Sequence, residues 1–182
     1  MEDVFQKLIL MIRAYYPVLY LHSYEYYRTK QKIKGIVELL RREGKKVNYY
    51  QWDCVYGLVQ ILPDKTEKRI ERMQNPLEVL AYILNSKKSG EKNIFVLDDI
   101  NNHIDRDEVK LMFRKIAEAT NNNTHAIILS SIYRLPAELE KYITVLQIPL
   151  PKRNELGEVL DIVAKQSKVE LKTNLRNRLI DA

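Results

Sequence analysis

Two short segments of the chain carry residue types whose spacing is known from phosphate chemistry. The first, HSYEYYRTK (residues 22–30), follows the apolar run PVLYL, where strand-to-helix proteins place a phosphate-binding loop of the form GxxxxGK[ST]. Counting back from Thr29 as the hydroxyl, Arg28 stands at the lysine position. Tyr27 then falls on the second glycine and His22 on the first. The spacing is kept, but the glycines and the lysine are absent.

The missing glycines decide how this segment is interpreted. A phosphate cradle needs backbone amides that approach the phosphate closely in glycine-like conformations, and a tyrosine brings a bulky side chain to that position. We therefore favour an ordinary helix start over phosphate binding. In this interpretation Ser23 is the N-cap of the helix, and Glu25 lies favourably against its positive end.

The second segment, IFVLDDI, ends an apolar run with Asp98 and Asp99. In ATPases the corresponding pattern places the first acid on Mg²⁺ and the second beside the attacking water. Asp98 is thus the candidate metal ligand, although the second acid is one methylene short and strand-end aspartates are also common turn formers. If the first segment starts a helix, Arg28 is expected to reach Asp98 or Asp99 and to stand in for a metal ion.

Alternating strand and helix patterns place both segments in one fold. Apolar runs predict five strands, at residues 18–21, 47–52, 93–100, 125–131 and 143–148. Apolar spacings of three and four, with caps and prolines, predict helices over 3–14, 25–43, from 75 onward, 105–120 and 136–142. The segment with Pro63 and KTEKRIER is interpreted as a charged connection.

Strands separated by helices of this length cannot pair as tight hairpins. The sequence therefore predicts a three-layer α/β sandwich with a five-stranded parallel sheet. Ligands of such sheets bind beyond the carboxyl ends of the strands. This edge is expected to collect residues 22–30, the acidic pair, and the small polar Ser130 and Ser131 that end the fourth strand.

Composition argues against several functional classes. The apolar runs are far shorter than the roughly 20 residues of a membrane span, and the acidic start MEDVFQKLIL is not a secretion signal. A single cysteine, Cys54, cannot form an intramolecular disulfide, and we expect a small core residue in a reducing cytoplasm. His103 is interpreted as a loop histidine. The net charge of +6 is scattered over mixed runs, so nucleic-acid binding is expected to be weak and salt-sensitive.

The order of these motifs resembles the core of an AAA+ ATPase, which has the P-loop NTPase fold. A degenerate phosphate-loop position follows the first strand, a Walker B-like acidic pair follows the third, and sensor-like serines end the fourth. The stretch IPLPKRNELGEVLDIVAKQ resembles the start of the helical lid, with Pro149, Pro151 and Arg153 at the matching positions. The resemblance implies an AAA-like domain over residues 1–150 and the start of a lid over 151–182.

A closer resemblance is to the N-terminal half of the AAA ATPases catalogued as hypothetical chloroplast reading frames (ycf-type), which also occur in bacteria. There a domain without a phosphate loop carries a Ser-x-Glu-x-x-Arg signature after its first strand. It precedes a second AAA+ domain with the working motifs. Ser23, Glu25 and Arg28 match the signature, and Trp52 and the pair Gly57-Leu58 match the next landmark.

This resemblance covers most of residues 8–160. It implies a fragment of a longer protein, in which a non-catalytic domain serves the assembly or regulation of a downstream ATPase domain. The implied partners are that AAA+ domain and further copies of the chain, in the cytoplasm or the plastid stroma. ATP and Mg²⁺ would bind elsewhere in the full-length protein, with no cofactor on this chain. Two alternatives stay open: an ATP/Mg-binding module that uses Asp98, Asp99 and Arg28, or an ATPase-dead nucleic-acid-binding accessory subunit.

Overall fold

The computed structural model describes residues 4–70, 73–86, 91–119, 123–167, 169 and 173–180. The chain divides into two compact units, Met1–Ile148 and Pro149–Ala182. The elements of the first unit are α1 (Val4–Arg13), β1 (Val18–His22), α2 (Tyr26–Arg42), β2 (Val47–Asp53), β3 (Gly57–Ile61), β4 (Glu67–Arg69), α3 (Pro76–Ser86), β5 (Lys92–Asp98), α4 (Asp107–Glu118), β6 (Thr124–Ser130) and β7 (Thr144–Gln147). Two 3-10 helices, Ile100–His103 and Ala137–Leu139, complete this unit. The second unit contains α5 (Arg153–Gln166) and α6 (Thr173–Ile180).

A seven-stranded sheet forms the middle layer of the first unit, in the order β4-β3-β2-β5-β6-β1-β7. The strands β2, β5, β6, β1 and β7 run parallel, as predicted. The carboxyl ends of β1, β5 and β6 therefore meet at one edge of the sheet. The register pairs His22 with Ser130 and Asp98 with Leu129, which brings the candidate site residues together.

The sheet has seven strands instead of the predicted five. β3 pairs antiparallel with β2, and β4 with β3, in the part of the chain that was predicted to be a charged connection. All residues of β4 are exposed and charged, so this edge strand has no apolar alternation that a pattern search can detect. Cys54 lies exposed in the turn between β2 and β3, so the expectation of a core position for it is wrong.

Helices cover both faces of the sheet, which gives the predicted three layers. On one face α1 and α2 pack against alternate strand residues, and the buried residues there include Leu8, Ile33, Leu19, Leu21, Ile94 and Ile127. On the other face α3 and α4 pack against the remaining alternate residues, with Leu80, Phe113, Tyr20, Phe95 and Ile128 among those buried. Because both faces are covered, the central strands β5 and β6 are almost wholly buried.

The second unit is a pair of helices joined by a bidentate ion pair. Arg176 on α6 donates from Nε and Nη2 to the two carboxylate oxygens of Asp161 on α5, each at 2.7 Å. Several apolar side chains of these helices are exposed to solvent: Leu156, Ile162, Val163, Leu175 and Leu179. In the described ranges, no helix is long and apolar enough to cross a membrane.

Trp52 and Gly57 fasten the β2–β3 hairpin to the chain before α3. The Trp52 Nε1–H donates to the carbonyl oxygen of Met73 at 2.5 Å. Gly57 has a φ of +75°, and a Cβ added to it would lie 3.2 Å from the carbonyl carbon of Met73. The positive φ and the close approach of the two backbones both favour glycine at this position.

Replacing Gly57 by alanine is expected to lower the free energy of unfolding by about 2–3 kcal/mol. A left-handed conformation costs an L-residue about 1–2 kcal/mol, and the new methyl group also presses on Met73. Gly44→Ala is the matched control, because Gly44 has a φ of +80° but nothing lies within 4 Å of an added Cβ. Urea denaturation measures both variants. Equal losses would show that the approach to Met73 contributes nothing.

Candidate functional site

The segment 22–30 turns from β1 into α2 without a glycine-like loop. α2 begins at Tyr26 with Glu25 as its N-cap. Within 22–30, which the structure describes in full, no residue has a positive φ. The side chain of Tyr27, at the second glycine position of the phosphate-loop register, points to solvent and Tyr27 is 79% exposed. The prediction of a short turn in place of a phosphate cradle is therefore confirmed.

Ser23 and Thr29 are buried and bind each other. Their hydroxyl oxygens lie 2.8 Å apart, and Ser23 Oγ also accepts the Glu25 N–H at 3.2 Å. The expectation that Ser23 is the N-cap is wrong, because Glu25 holds that position and Ser23 caps only the turn before it. Thr29 stands where a phosphate loop has its magnesium-binding hydroxyl, and here that hydroxyl is engaged by the serine.

The cation that meets the acidic pair is Lys30, which corrects the expectation for Arg28. The Nζ of Lys30 donates to Asp98 Oδ2. Arg28 instead donates from Nη1 to Glu25 Oε2 at 2.7 Å. Helix geometry explains the difference. At about 100° per residue, a side chain two positions from Lys30 points about 160° away from it around the helix axis, so Arg28 lies on a different face of α2.

Asp99 is held by neutral donors from α2 and β6. The Tyr26 hydroxyl donates to Asp99 Oδ1 at 2.5 Å, and the Ser130 hydroxyl donates to the same oxygen at 2.7 Å. The Ser131 N–H donates to the Tyr26 oxygen at 2.9 Å, and the Ser23 N–H donates to the Ser130 carbonyl at 2.9 Å. The start of α2, the acidic pair and the end of β6 thus form one hydrogen-bonded network.

Burial dominates the charge state of this network. Desolvation raises the pKa of Asp98 above its ordinary value; the hydrogen bond and charge of Lys30 lower it, while Asp53 and Asp99 raise it further. Asp98 Oδ1 is buried and accepts no hydrogen bond from the described part of the chain. Burial, and then the hydrogen bond to Asp99, raise the pKa of Tyr26, so its hydroxyl remains a donor.

Sequence reasoning missed Tyr26, Lys30 and Tyr20. Tyr20 donates to the Ile132 carbonyl at 2.5 Å and so anchors the chain after β6. The helical spacing of the sequence could have indicated the two α2 residues. Counting back three and seven positions from Ile33, on the buried stripe of the helix, gives Lys30 and Tyr26.

The remaining candidates do not join the network. His103 ends the 3-10 helix that follows Asp99, where a loop had been expected. Among the described residues, no group of three or more His, Cys, Asp or Glu side chains has the arrangement of a metal site.

Exposed rings flank the network at the carboxyl end of β1. The His22 ring centroid lies 5.3 Å from that of Tyr24 and 6.4 Å from that of Tyr133, both edge-on. Tyr24 is 67% exposed, Tyr133 52% and the neighbouring Ile132 59%. We call these four residues, His22, Tyr24, Ile132 and Tyr133, the aromatic edge.

Comparisons with protein sequences point to one family. A family model described as SpoVK-like AAA ATPase, N-terminal domain, matches residues 4–148. An uncharacterized AAA domain-containing protein ycf46 from Guillardia theta is 28% identical over 153 residues, which covers 83% of this chain and 28% of that protein. Its namesake from Pyropia yezoensis is 25% identical over 175 residues, covering 96% of this chain and 34% of that protein. The chain thus spans roughly a third of the length of these curated relatives.

Similar solved structures support the fold. A chain of the E. coli HORMA:CdnC:Trip13 complex has a TM-score of 0.60 at 11% sequence identity, covering 91% of this chain and 55% of that chain. A RuvB variant from Thermotoga maritima has a TM-score of 0.55 at 16% identity, covering 97% of this chain and 54% of that chain. At these identities the likeness shows the α/β architecture alone.

The variant Asp98→Asn is expected to gain stability relative to the parent as the pH rises above the ordinary pKa of an aspartate. The folded state raises the pKa of Asp98. Below its ordinary pKa the carboxyl is protonated in both the folded and the unfolded state, so it does not change the free energy of unfolding there. The parent loses stability as the pH rises through the raised pKa, because the buried group must ionise. Asparagine does not titrate and escapes this loss. Urea denaturation at several pH values gives the difference between the two proteins.

Asp107→Asn is the control, because its stability relative to the parent is expected to change with pH in the opposite direction. The bond to Lys110 lowers the pKa of Asp107, so this variant should lose a little stability relative to the parent as the pH rises. Asp107 is exposed, which keeps the effect small. A pH-independent difference between Asp98→Asn and the parent would contradict the role given to burial.

Proposed function

The chain belongs to the family of SpoVK-like AAA ATPase N-terminal domains, and on that premise we propose that it is a non-catalytic AAA-type domain. It serves the assembly or regulation of an ATPase domain in a longer protein. The observation that carries this proposal is the bond from Lys30 to Asp98, at the place where an ATPase of this fold would hold magnesium.

The contacts around Asp98 argue against the binding of Mg-ATP in the manner of an ATPase. Lys30 already gives the carboxylate a positive charge and a hydrogen bond, so a metal ion would have to displace it. The hydroxyl of Thr29 is engaged by Ser23, and Arg28, at the lysine position, binds Glu25. Without a phosphate cradle or a lysine, the stabilisation of a transferred phosphoryl group is missing.

The chain's own side chains supply what a nucleotide complex supplies elsewhere. A lysine neutralises the first acid, and the hydroxyls of Tyr26 and Ser130 satisfy the second. These bonds tie α2 to the ends of β5 and β6 without any ligand. A domain closed in this way keeps one conformation while a neighbouring ATPase domain passes through its cycle, which suits a structural or regulatory part.

One observation favours the alternative of an ATP/Mg-binding module. Asp98 Oδ1 is buried without a hydrogen-bond partner in the described residues, which leaves one carboxylate oxygen for a cation. The same oxygen lies in a region where burial already disfavours ionisation of the carboxyl. Lys30 already holds the other oxygen of this carboxylate, and its positive charge would repel a metal ion at Oδ1, so we place this alternative second.

The aromatic edge is the surface we assign to assembly. It lies at the carboxyl ends of the strands, next to the closed network, and exposes two tyrosines and an isoleucine together. Tyrosine is enriched in protein interfaces because its ring is apolar and its hydroxyl stays solvated or bonded. We propose that this edge packs against an AAA-type domain of a neighbouring copy.

The isolated chain is expected to release no phosphate from Mg-ATP above background. Its melting temperature should also stay within about 1 °C on addition of Mg-ATP. A ligand at 100 times its Kd would stabilise the fold by about 2.7 kcal/mol and raise the melting temperature by about 5 °C or more. A phosphate-release assay and thermal denaturation test both points. Turnover that disappears in Asp99→Ala and persists in the exposed control Asp105→Ala would overturn the proposal.

Self-association through the aromatic edge should weaken when its tyrosines are removed. We expect sedimentation velocity to show association that grows with concentration, and the variant Tyr24→Ser/Tyr133→Ser to need about tenfold more protein for the same degree of association, because aromatic anchors are typical interface hot spots. Leu10→Ser is the control, since Leu10 is 52% exposed on α1. A parent that stays monomeric, or equal losses in both variants, would contradict the assignment.

A further inference from the structure

A cavity lies at the opposite edge of the sheet, where β2 and β5 begin. It is open to solvent and has a volume of about 300 Å³. The basic residues of its lining are Arg13, Lys45, Lys46 and Lys92, and Glu91 is acidic. The cavity is separate from the network around Asp98, so nothing in this subsection depends on the proposed function.

Lys92 is the buried cation of this cavity. It is 9% exposed, and its Nζ donates to the Ile12 carbonyl at 3.4 Å. The same Nζ lies 3.3 Å from His125 Nε2 and 4.9 Å from the centroid of the Tyr15 ring. These partners are neutral, and in the described ranges no carboxylate lies within salt-bridge distance of Lys92. A buried charge is normally paired, whereas the described residues give Lys92 no counter-ion.

His125 fixes the position of the Lys92 ammonium group. The His125 side chain is buried, and its Nδ1 lies 2.7 Å from the carbonyl oxygen of Tyr16. A carbonyl only accepts, so Nδ1 carries the hydrogen, and Nε2 is then the nitrogen that accepts from Lys92. A histidine ring brings no negative charge in either tautomer. It orients the ammonium group without neutralising it.

The acidic groups nearby do not balance the basic lining. Arg13 and Lys45 share the carboxylate of Glu43, which Lys45 approaches to 3.4 Å. Glu91 accepts a hydrogen bond from Asn48 Nδ2 at 2.9 Å. The cavity is left with more positive than negative charge.

Two further features mark the cavity as a site for an anion. Lys46 is exposed at its rim, and its carbonyl accepts the Lys92 N–H at 3.3 Å, which holds the starts of β2 and β5 together. Burial, and then the charge of Lys45, lower the pKa of Lys92. An anion placed among these cations would remove the repulsion between them.

We propose that this cavity binds the phosphate group of a small soluble molecule, with Lys92 as the buried anchor and Lys46 as the partner on the solvent side. A phosphate dianion carries enough charge and enough acceptor oxygens to meet several converging cations at once. The volume is at the lower end of the range of ligand cavities, roughly 300–1,000 Å³. It admits a phosphate with a small organic group in preference to a nucleotide.

Titration of the 182-residue chain with glycerol phosphate tests the proposal, followed by the backbone amide signals in NMR spectra. Sodium chloride at matched ionic strength is the reference. The signals of Lys46 and Lys92 are expected to shift and saturate. Lys46→Gln should weaken the affinity about tenfold, the effect of losing one charged hydrogen bond. Lys7→Gln, an exposed lysine on α1, should leave the affinity unchanged.

Several results would overturn the proposal. Equal affinity in the parent and Lys46→Gln, or shifts that chloride reproduces, would reduce the cavity to a basic surface. Lys92→Gln is expected to abolish binding. If this substitution at a buried residue prevents folding, the exposed substitution Lys46→Gln still tests whether the basic lining binds phosphate. Thermal denaturation with inorganic phosphate is a second measurement. Because phosphate also stabilises proteins by exclusion from their surface, a rise in the melting temperature of the parent supports binding only if Lys46→Gln does not show the same rise. Binding to phosphatidic acid vesicles without any response to glycerol phosphate would assign the site to a lipid headgroup instead.

Discussion

A largely buried carboxylate at the end of β5 is the constraint around which the carboxyl edge of the sheet is arranged. Asp98 lies where water cannot solvate it well, so folding requires either that it stay protonated or that a cation meet it. The chain meets this need from α2. Because the chain enters α2 directly from β1, the first turns of the helix lie close to the sheet, and Lys30 reaches Asp98 while Tyr26 reaches Asp99.

The sequence was sufficient to predict the parallel part of the sheet, because buried parallel strands appear in the sequence as apolar runs. The five parallel strands and their covering helices followed from those runs and from helical spacing. β3 and β4 did not, since β3 has no regular alternation of buried and exposed residues and β4 is an exposed, charged edge held by backbone bonds to its neighbour. Backbone pairing of this kind leaves no side-chain pattern in the sequence.

The site was predictable in its location and only partly in its contacts. Parallel topology places strand ends together, so the convergence of Asp98, Asp99 and Ser130 could be inferred before the structure was known. The cation could not be chosen by charge alone. Arg28 was expected because it stands at the lysine position of a phosphate loop, whereas the rotation of α2 about its axis favours Lys30. The pairing of Lys92 with His125 needed the β5–β6 register, which joins residues far apart in the chain.

The two edges of the sheet answer the same physical requirement differently. At the carboxyl edge a buried acid has a cation from the chain itself, and the neighbouring acid has two hydroxyl donors. At the opposite edge a buried lysine contacts a carbonyl, an imidazole nitrogen and an aromatic ring, and none of these carries a negative charge. A charge that is already compensated has little to gain from a ligand, whereas one without a counter-ion has more to gain. In this chain we therefore expect a small anion at the start of β5 to gain more favourable interactions than a nucleotide would gain at the end of β5.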